Sequence, residues 1–243
     1  MDLQNKNAIV TGAGVRIGRA LALALADAGV NVAVHYNRSA DAANAVATEI
    51  TGTGRRAVAI QGDLSDPVPA SKSIVEAAVA ELGPIDFLIN SAAIFEQSDL
   101  HSTTEDLWDR HHTINLKAPF FMSQAFAVQL NDSQTGQIVN IVDWRGTRPP
   151  HDYAAYTPSK VGLVGMTQNL ALGLAPQVQV NAIAPGAILP GPMETEEHFA
   201  RRETEIPLRR TGSPRQIAEA MLYLLRSDFV TGEVIHVTGG EGL

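Results

Sequence analysis

The 243-residue chain contains no cysteine. Disulfides and thiolate metal sites are therefore excluded, and the redox compartment is left open. A basic surplus is also missing. The formal net charge is -8, with Lys and Arg scattered along the chain, so there is no positive field for nucleic acid. No apolar run reaches membrane-spanning length. The opening "MDLQNKNAIVTG" holds polar and charged residues where a signal peptide needs a long apolar core, so a cytoplasmic protein with no membrane partner is expected. Linker composition, internal repeats and a Gly-x-Ser-x-Gly nucleophile motif are all lacking. His111 and His112 are neighbours on a helical stretch and point in different directions, and "METEEHF" reads as a solvated segment, so no metal is expected.

What remains is an alternation of short β-branched runs with longer Ala- and Leu-rich segments of helical length. Strands are expected at "NAIVTG", "VNVAVHY", "RAVAIQGDL", "IDFLINSAA", "GQIVNIVD", "VQVNAIAPG" and "EVIHVTGG". Helices are expected between them at "RALALALADAG", "ADAANAVATEITGTG", "ASKSIVEAAVAEL", the long "TEDLWDRHHTINLKAPFFMSQAFAVQL", "PSKVGLVGMTQNLALGLAP" and "PRQIAEAMLYLLR". This is the pattern of α/β βαβ units around a doubly wound parallel sheet, and residues 1–243 read as a single domain. From Ala187 to Arg210 the chain turns irregular and charged, and 187–210 is the candidate substrate lid.

"TGAGVRIG", Thr11 to Gly18, lies between the first strand and the first helix. Glycines there permit a tight turn that aims helix N-terminal amides at a pyrophosphate, with Gly12, Arg16 and Ile17 as ligand-side residues. Arg16 stands where a further glycine is expected; its guanidinium can reach a phosphate or the substrate, or serve as a plain surface arginine. NAD-selective sites place an acid about 20 residues beyond the glycines, on the ribose 2′-OH. Here the second strand ends "HYNRS", and His35, Tyr36, Asn37, Arg38 and Ser39 include no acid. Arg38 and Ser39 suit a 2′-phosphate, so NADP(H) is the expected cofactor; the alternative is that Arg38 caps a solvated loop.

"VDWRGTRPPHDYAAYTPSK", Val142 to Lys160, sets Tyr156 four residues before Lys160 and Asp143 thirteen before Tyr156. A phenol near pKa 10 is a slow proton donor until a cation stabilises its phenolate, and a lysine one helical turn away can do that. A carboxylate acts in the opposite sense. It keeps the phenol protonated, and it can pass a proton or order a water beside it. Asp143 read plainly is a strand-end residue bonded to loop amides.

"TGAGVRIG", "INSAA", "TIN" at Thr113 to Asn115, "YTPSK" and "APG" at Ala184 to Gly186 together resemble the short-chain dehydrogenase/reductase family, in order, across nearly the whole chain. Arg16, "HYNRS", Asp143 in place of serine, and Phe95 in "NSAAIF" are similar to the pteridine reductase and dihydromonapterin reductase subgroup. "NSAA" departs from the commoner Asn-Asn-Ala-Gly, and "YTPSK" carries a proline inside the motif. The resemblance implies a Rossmann-like fold and a homotetramer assembled through long helices and the C-terminal region. It also implies Tyr156 as proton donor, Lys160 as its electrostatic partner and ribose ligand, and Asn115 as link to a relay water. Asp63 and Leu64 would lie by the adenine, Asn90, Ser91 and Ala92 along the ribose, and Pro185 with Gly186 near the carboxamide. Phe95 would stack on a pterin ring, or else is core, and Trp144 and Tyr153 line the same pocket or simply pack.

The expected activity is reduction of a C=N bond in a pterin-like small molecule. One rival is reduction of a carbonyl in a 3-oxoacyl thioester or small ketone, with Arg201, Arg202, Arg209 and Arg210 contacting a carrier phosphate. Another, of a different class, is a non-catalytic NADP-binding sensor.

Overall fold

The computed structural model describes residues 2–146, 152–191 and 194–243, without the His198 side chain. Seven strands form the sheet: β1 Asn7–Val10, β2 Asn31–Tyr36, β3 Ala57–Gln61, β4 Phe87–Asn90, β5 Gly136–Ile141, β6 Val178–Pro185 and β7 Val234–Val237. Their order is β3-β2-β1-β4-β5-β6-β7, and every pairing is parallel. The helices are α1 Arg16–Asp27, α2 Ala40–Gly52, α3 Pro67–Leu82, α4 Glu105–His112, α5 Ala118–Val128, α6 Tyr156–Leu174, α7 Glu196–Arg201 and α8 Pro214–Arg226. This is the doubly wound, Rossmann-like α/β architecture.

Successive strand residues point to opposite faces, and because helices cover both faces these strands are mainly apolar. Ile9, Leu88 and Ile138 pack against Ile74 of α3 and Met122 and Phe126 of α5. Val10, Ile89 and Val139 belong to the core that holds Leu21 and Leu25 of α1 and Met221 and Leu224 of α8. Each such side chain, fully buried, stabilises the fold by about 1.5–3 kcal/mol.

Several boundaries differ from those expected, and one helix is interrupted. α1 and α3 each begin three residues before the apolar runs that mark them, at Arg16 and Pro67 rather than Arg19 and Ala70. In α3 two prolines sit in the first turn, where a missing N–H costs nothing. The long helix at 104–130 is interrupted by a π-helical turn, Thr113–Lys117. Pro119 has no amide to offer the carbonyl of Asn115 four residues back, so the regular ladder cannot continue there. The irregular stretch 187–210 contains α7 and a short 3₁₀ turn, Arg202–Thr204, while residues 192 and 193 of the candidate lid, the second of them the first residue of "METEEHF", lie outside the described residues.

Candidate active site

The strand order reverses at β1, with β2 on one side and β4 on the other, and a crevice opens beyond their carboxyl ends. The chain leaves β1 through Thr11, whose Oγ1 accepts bonds from the amides of Ser91 (2.9 Å) and Ala92 (3.0 Å), tying the loops after β1 and β4 together. Gly12 has φ +66°, and a Cβ there would lie 3.0 Å from Cα of Ala92. At Gly18 a Cβ would stand 2.2 Å from the Gly12 carbonyl oxygen. Both positions therefore require glycine. α1 starts with no side-chain cap, so its first amides are left for another acceptor.

His35 holds this turn from below. Its ring is buried; the Gly12 amide donates to Nδ1 (3.2 Å), while Nε2 faces the Gly62 carbonyl at 3.1 Å. Those two bonds require a neutral imidazole with its hydrogen on Nε2. Burial lowers its pKa from 6.5 to about 4, against the opposing bond to Gly62.

A cleft of about 520 Å³ runs over the turn, and Gly12, Tyr36, Asn37, Arg38, Ser39 and Asp63 line it, as does Gly14. Asp63 is not a free acid: it accepts from the Ser65 amide (3.0 Å) and from Asn37 Nδ2 (3.1 Å), and the Ser65 bond leads in lowering its pKa. The other predicted nucleotide residues are placed differently. His35, Leu64 and Asn90 are buried, Asn90 donating to Asn140 (2.8 Å). Ile17 packs on the core, and the Gly186 amide bonds the Val237 carbonyl (3.0 Å), extending the β6–β7 pairing just beyond Pro185. Arg16 adopts φ +53°, a strained setting for an arginine, and its guanidinium donates to the Pro190 carbonyl (2.6 Å). Asp109, Arg110 and Thr113 form part of the cleft wall that sequence reasoning missed; only the fold brings α4 and the π turn there.

At the far end of the crevice, β5 and α6 bring a second group together. Tyr156, the first residue of α6, donates its phenolic proton to Asp143 Oδ2 at 2.8 Å. The ammonium of Lys160, also buried, donates to the Ile141 carbonyl (2.8 Å) and lies 5.9 Å from the Tyr156 ring centroid. Burial first, then the charge and hydrogen bond of Asp143, push the Tyr156 phenol well above its ordinary range. Burial lowers Lys160 to about 8, with Asp143 acting in the opposite direction. The Asn115 side chain is fully engaged: Oδ1 accepts from Ile94 N (2.9 Å), and Nδ2 donates to Ile94 O (3.0 Å) and Ser159 Oγ (3.1 Å). It fixes the loop after β4 against α6.

Phe95 stacks on Tyr153, with centroids 4.7 Å apart and planes 12° from parallel, and meets Tyr156 edge-on at 4.7 Å. One face of Phe95 is therefore already covered by an aromatic ring. Arg145 was not singled out from the sequence, although "VDWRG" places it two residues from Asp143; its amide donates to Asp143 Oδ1 at 2.8 Å. His111, by contrast, is structural: Nδ1 bonds the Leu107 carbonyl (2.8 Å) and Nε2 accepts from the Glu96 amide (3.3 Å).

The segment after β6 has a small core of its own, Ala187, Phe199 and Ile206. Glu241 pins it by accepting from the Ala187 amide (2.8 Å) and pairing with Arg202. Arg201 pairs with Glu197 at 2.5 Å, and Arg209 donates to the Thr204 carbonyl. Among the described residues no helix is long and apolar enough to cross a membrane.

A family model described as Enoyl-(Acyl carrier protein) reductase matches residues 12–241. The 3-oxoacyl-(acyl-carrier-protein) reductase FabG of Staphylococcus epidermidis is 35% identical over 243 residues, 97% of this chain and 98% of that protein. The crystal structure of FolM alternative dihydrofolate reductase 1 from Brucella canis, complexed with NADP, superposes with a TM-score of 0.95 at 35% identity, covering 99% of this chain and 95% of that one. A short chain dehydrogenase from Burkholderia cenocepacia, in complex with NADP, gives 0.93 at 33% identity with all of both chains covered.

Proposed function

The chain is an oxidoreductase of the short-chain dehydrogenase/reductase family, and from that membership we propose that it is an NADPH-dependent reductase of pterin-type rings. The observation that carries the reading is the 2.8 Å bond from the Tyr156 hydroxyl to Asp143, beside the aromatic group of Phe95, Tyr153 and Trp144. A ketone reductase needs only a neutral hydrogen-bond donor where Asp143 stands. A ring C=N needs a proton at nitrogen as hydride arrives at carbon, and a carboxylate bonded to the phenol suits that task.

The cleft fits the dinucleotide. It offers the uncapped amides of α1, the two tight glycines, and Arg38 with Ser39 at the end of β2, while Asp63, the lining acid beside Arg38, is already bonded to Ser65 and Asn37. Gly12, Tyr36, Asn37, Arg38, Ser39 and Asp63 would hold the adenosine and phosphates, and Lys160 the nicotinamide ribose. When bound, NADPH supplies the hydride. The chain's own part is the proton: Tyr156 stays neutral at physiological pH and donates, and Asp143 restores the phenolic proton from water. Phe95 would line the place of the substrate ring, backed by Tyr153. Segment 187–210 closes over it as a lid on the single domain, with Arg16 holding the lid at Pro190.

The relatives support this reading unequally. The FolM structure favours a pterin or folate ring, and the FabG relative favours a 3-oxoacyl thioester. Against the thioester, Arg201 and Arg202 are already paired with Glu197 and Glu241, which leaves a carrier phosphate less charge to meet. Exposed Phe120 and Val128 on α5 and Val161 and Leu172 on α6 support assembly of copies through these helices into the homotetramer expected of the family.

The test follows NADPH oxidation with a 7,8-dihydropterin and, separately, with an acetoacetyl thioester. Rapid pterin turnover is expected, and Asp143→Ser should lower it about 100-fold while leaving NADPH affinity unchanged. Thioester turnover alone, or full pterin activity in Asp143→Ser, overturns the reading.

A further inference from the structure

Arg145 occupies an unusual position. Its guanidinium carbon lies 5.7 Å from the ring centroid of Phe95, 5.2 Å from that of Trp144 and 5.3 Å from that of Tyr153. Three aromatic rings thus lie close to one cation, and each attracts it through its ring quadrupole. From there Nη1 reaches both carboxylate oxygens of Asp143, at 3.5 Å and 3.4 Å, while the amide of Arg145 donates to Oδ1 at 2.8 Å. Both side chains are nearly covered, at 14% and 12% exposure, so water screens the pair little. The other carboxylate oxygen contact, from the Tyr156 hydroxyl, completes a chain from Arg145 through Asp143 to Tyr156.

We propose that Arg145 is a positioning residue that pairs with the Asp143 carboxylate and holds it turned towards Tyr156, and that Phe95, Trp144 and Tyr153 keep the guanidinium in place. This rests on the reading of Tyr156 as the proton donor, and it does not depend on which substrate is reduced. The orientation of the carboxylate is what Arg145 controls. A carboxylate held by the guanidinium accepts the phenolic hydrogen bond through Oδ2, which keeps the hydroxyl at a fixed place beside the aromatic group. Other charges also face the group. Tyr156 and Lys160 face it from α6, and Asp152, Glu194 and Arg202 act on neighbouring Tyr153. Arg145 is the described cation that acts on both Tyr153 and Tyr156, and on each in the direction opposite to burial.

The test is a direct titration of the Asp143 carboxyl in cofactor-free protein carrying carbon-13 aspartate, its signal identified by its loss in Asp143→Asn. In Arg145→Gln the pH at which that signal changes should rise by about one unit or more relative to the parent protein. Arg145→Lys, which restores a cation, should return most of the change. Tyr153→Leu, which removes one ring and leaves the cation, should give a smaller rise. An unchanged titration in Arg145→Gln overturns the proposal, as does a rise of equal size in Arg145→Lys. No substrate is used, so a failure of the pterin assay and a failure of this inference are separate results.

Discussion

Two regions at the same edge of the sheet are built from different materials. The cleft beyond β1 and β2 is made largely of main chain: glycines that exclude a Cβ, uncapped amides at the start of α1, and loops tied by Thr11. The cluster beyond β5 is made of side chains, with Asp143, Arg145, Tyr156 and Lys160 packed within bonding distance of one another or of the strand. A main-chain site is fixed by shape and tolerates changes of charge around it. A cluster of coupled charges responds to every change in any member. The same fold therefore separates binding from proton transfer.

That separation is broken most severely by Tyr156→Phe. Removing the phenolic hydroxyl should lower kcat/KM about 1000-fold, roughly 4 kcal/mol of transition-state stabilisation, with coenzyme affinity unchanged in a fluorescence titration. A parallel loss of coenzyme affinity would mean that the two regions are one.

The next largest effect lies on the cleft side and appears as pH dependence. His35 has a folded-state pKa of about 4 against 6.5 in the unfolded chain, because burial disfavours its charged form. Between those values the unfolded chain binds a proton that the folded chain does not. Stability is therefore full above pH 6.5 and falls as pH drops towards 4, by up to about 3 kcal/mol from this residue. Protonation would also set an N–H on Nδ1 against the Gly12 amide, so coenzyme affinity should weaken over the same window. Denaturant unfolding at stepped pH checks the first statement. In His35→Gln the acid-side slope should flatten, and a slope as steep as in the parent would assign the loss to other groups.

The contrast between the regions also governs what could be read from the sequence. The alternation of strands and helices was legible because burial on both sheet faces leaves a continuous apolar strand, and α8 was legible to the residue because Ser213 and Pro214 mark its start. The glycine turn was legible because Gly12 and Gly18 have no substitute there. His35 was read as a cofactor ligand, yet the structure places it under the turn, since a strand residue's face depends on which neighbours cover it. The π turn at Thr113–Lys117 was missed because its cause, Pro119, lies after it and is otherwise a tolerated early-helix residue. Arg145 was missed for the same kind of reason. Its meaning comes from Phe95 and Tyr153, which reach it from two other segments, and spacing along the chain carries no trace of that.

The smallest effect sharpens the comparison most, because it changes charge in the region made of main chain. Arg38 lies on the cleft lining, exposed, beside Ser39 and near Asp63. If its role is to meet a 2′-phosphate, Arg38→Asp replaces an attractive contact with a repulsive one for NADPH and supplies an acceptor for the 2′-OH of NADH. A charged hydrogen bond of this kind contributes about 1.5–3 kcal/mol, so the ratio of kcat/KM for NADPH over NADH should fall about 10- to 100-fold. The same substitution lies at the opposite end of the crevice from Asp143, and the glycine turn does not depend on it for its shape. Turnover at saturating coenzyme should therefore keep its pH profile. A changed coenzyme ratio with an unchanged profile places Arg38 in binding alone; an unchanged ratio would return Arg38 to the role of a solvated loop residue and leave the phosphate to the amides of α1.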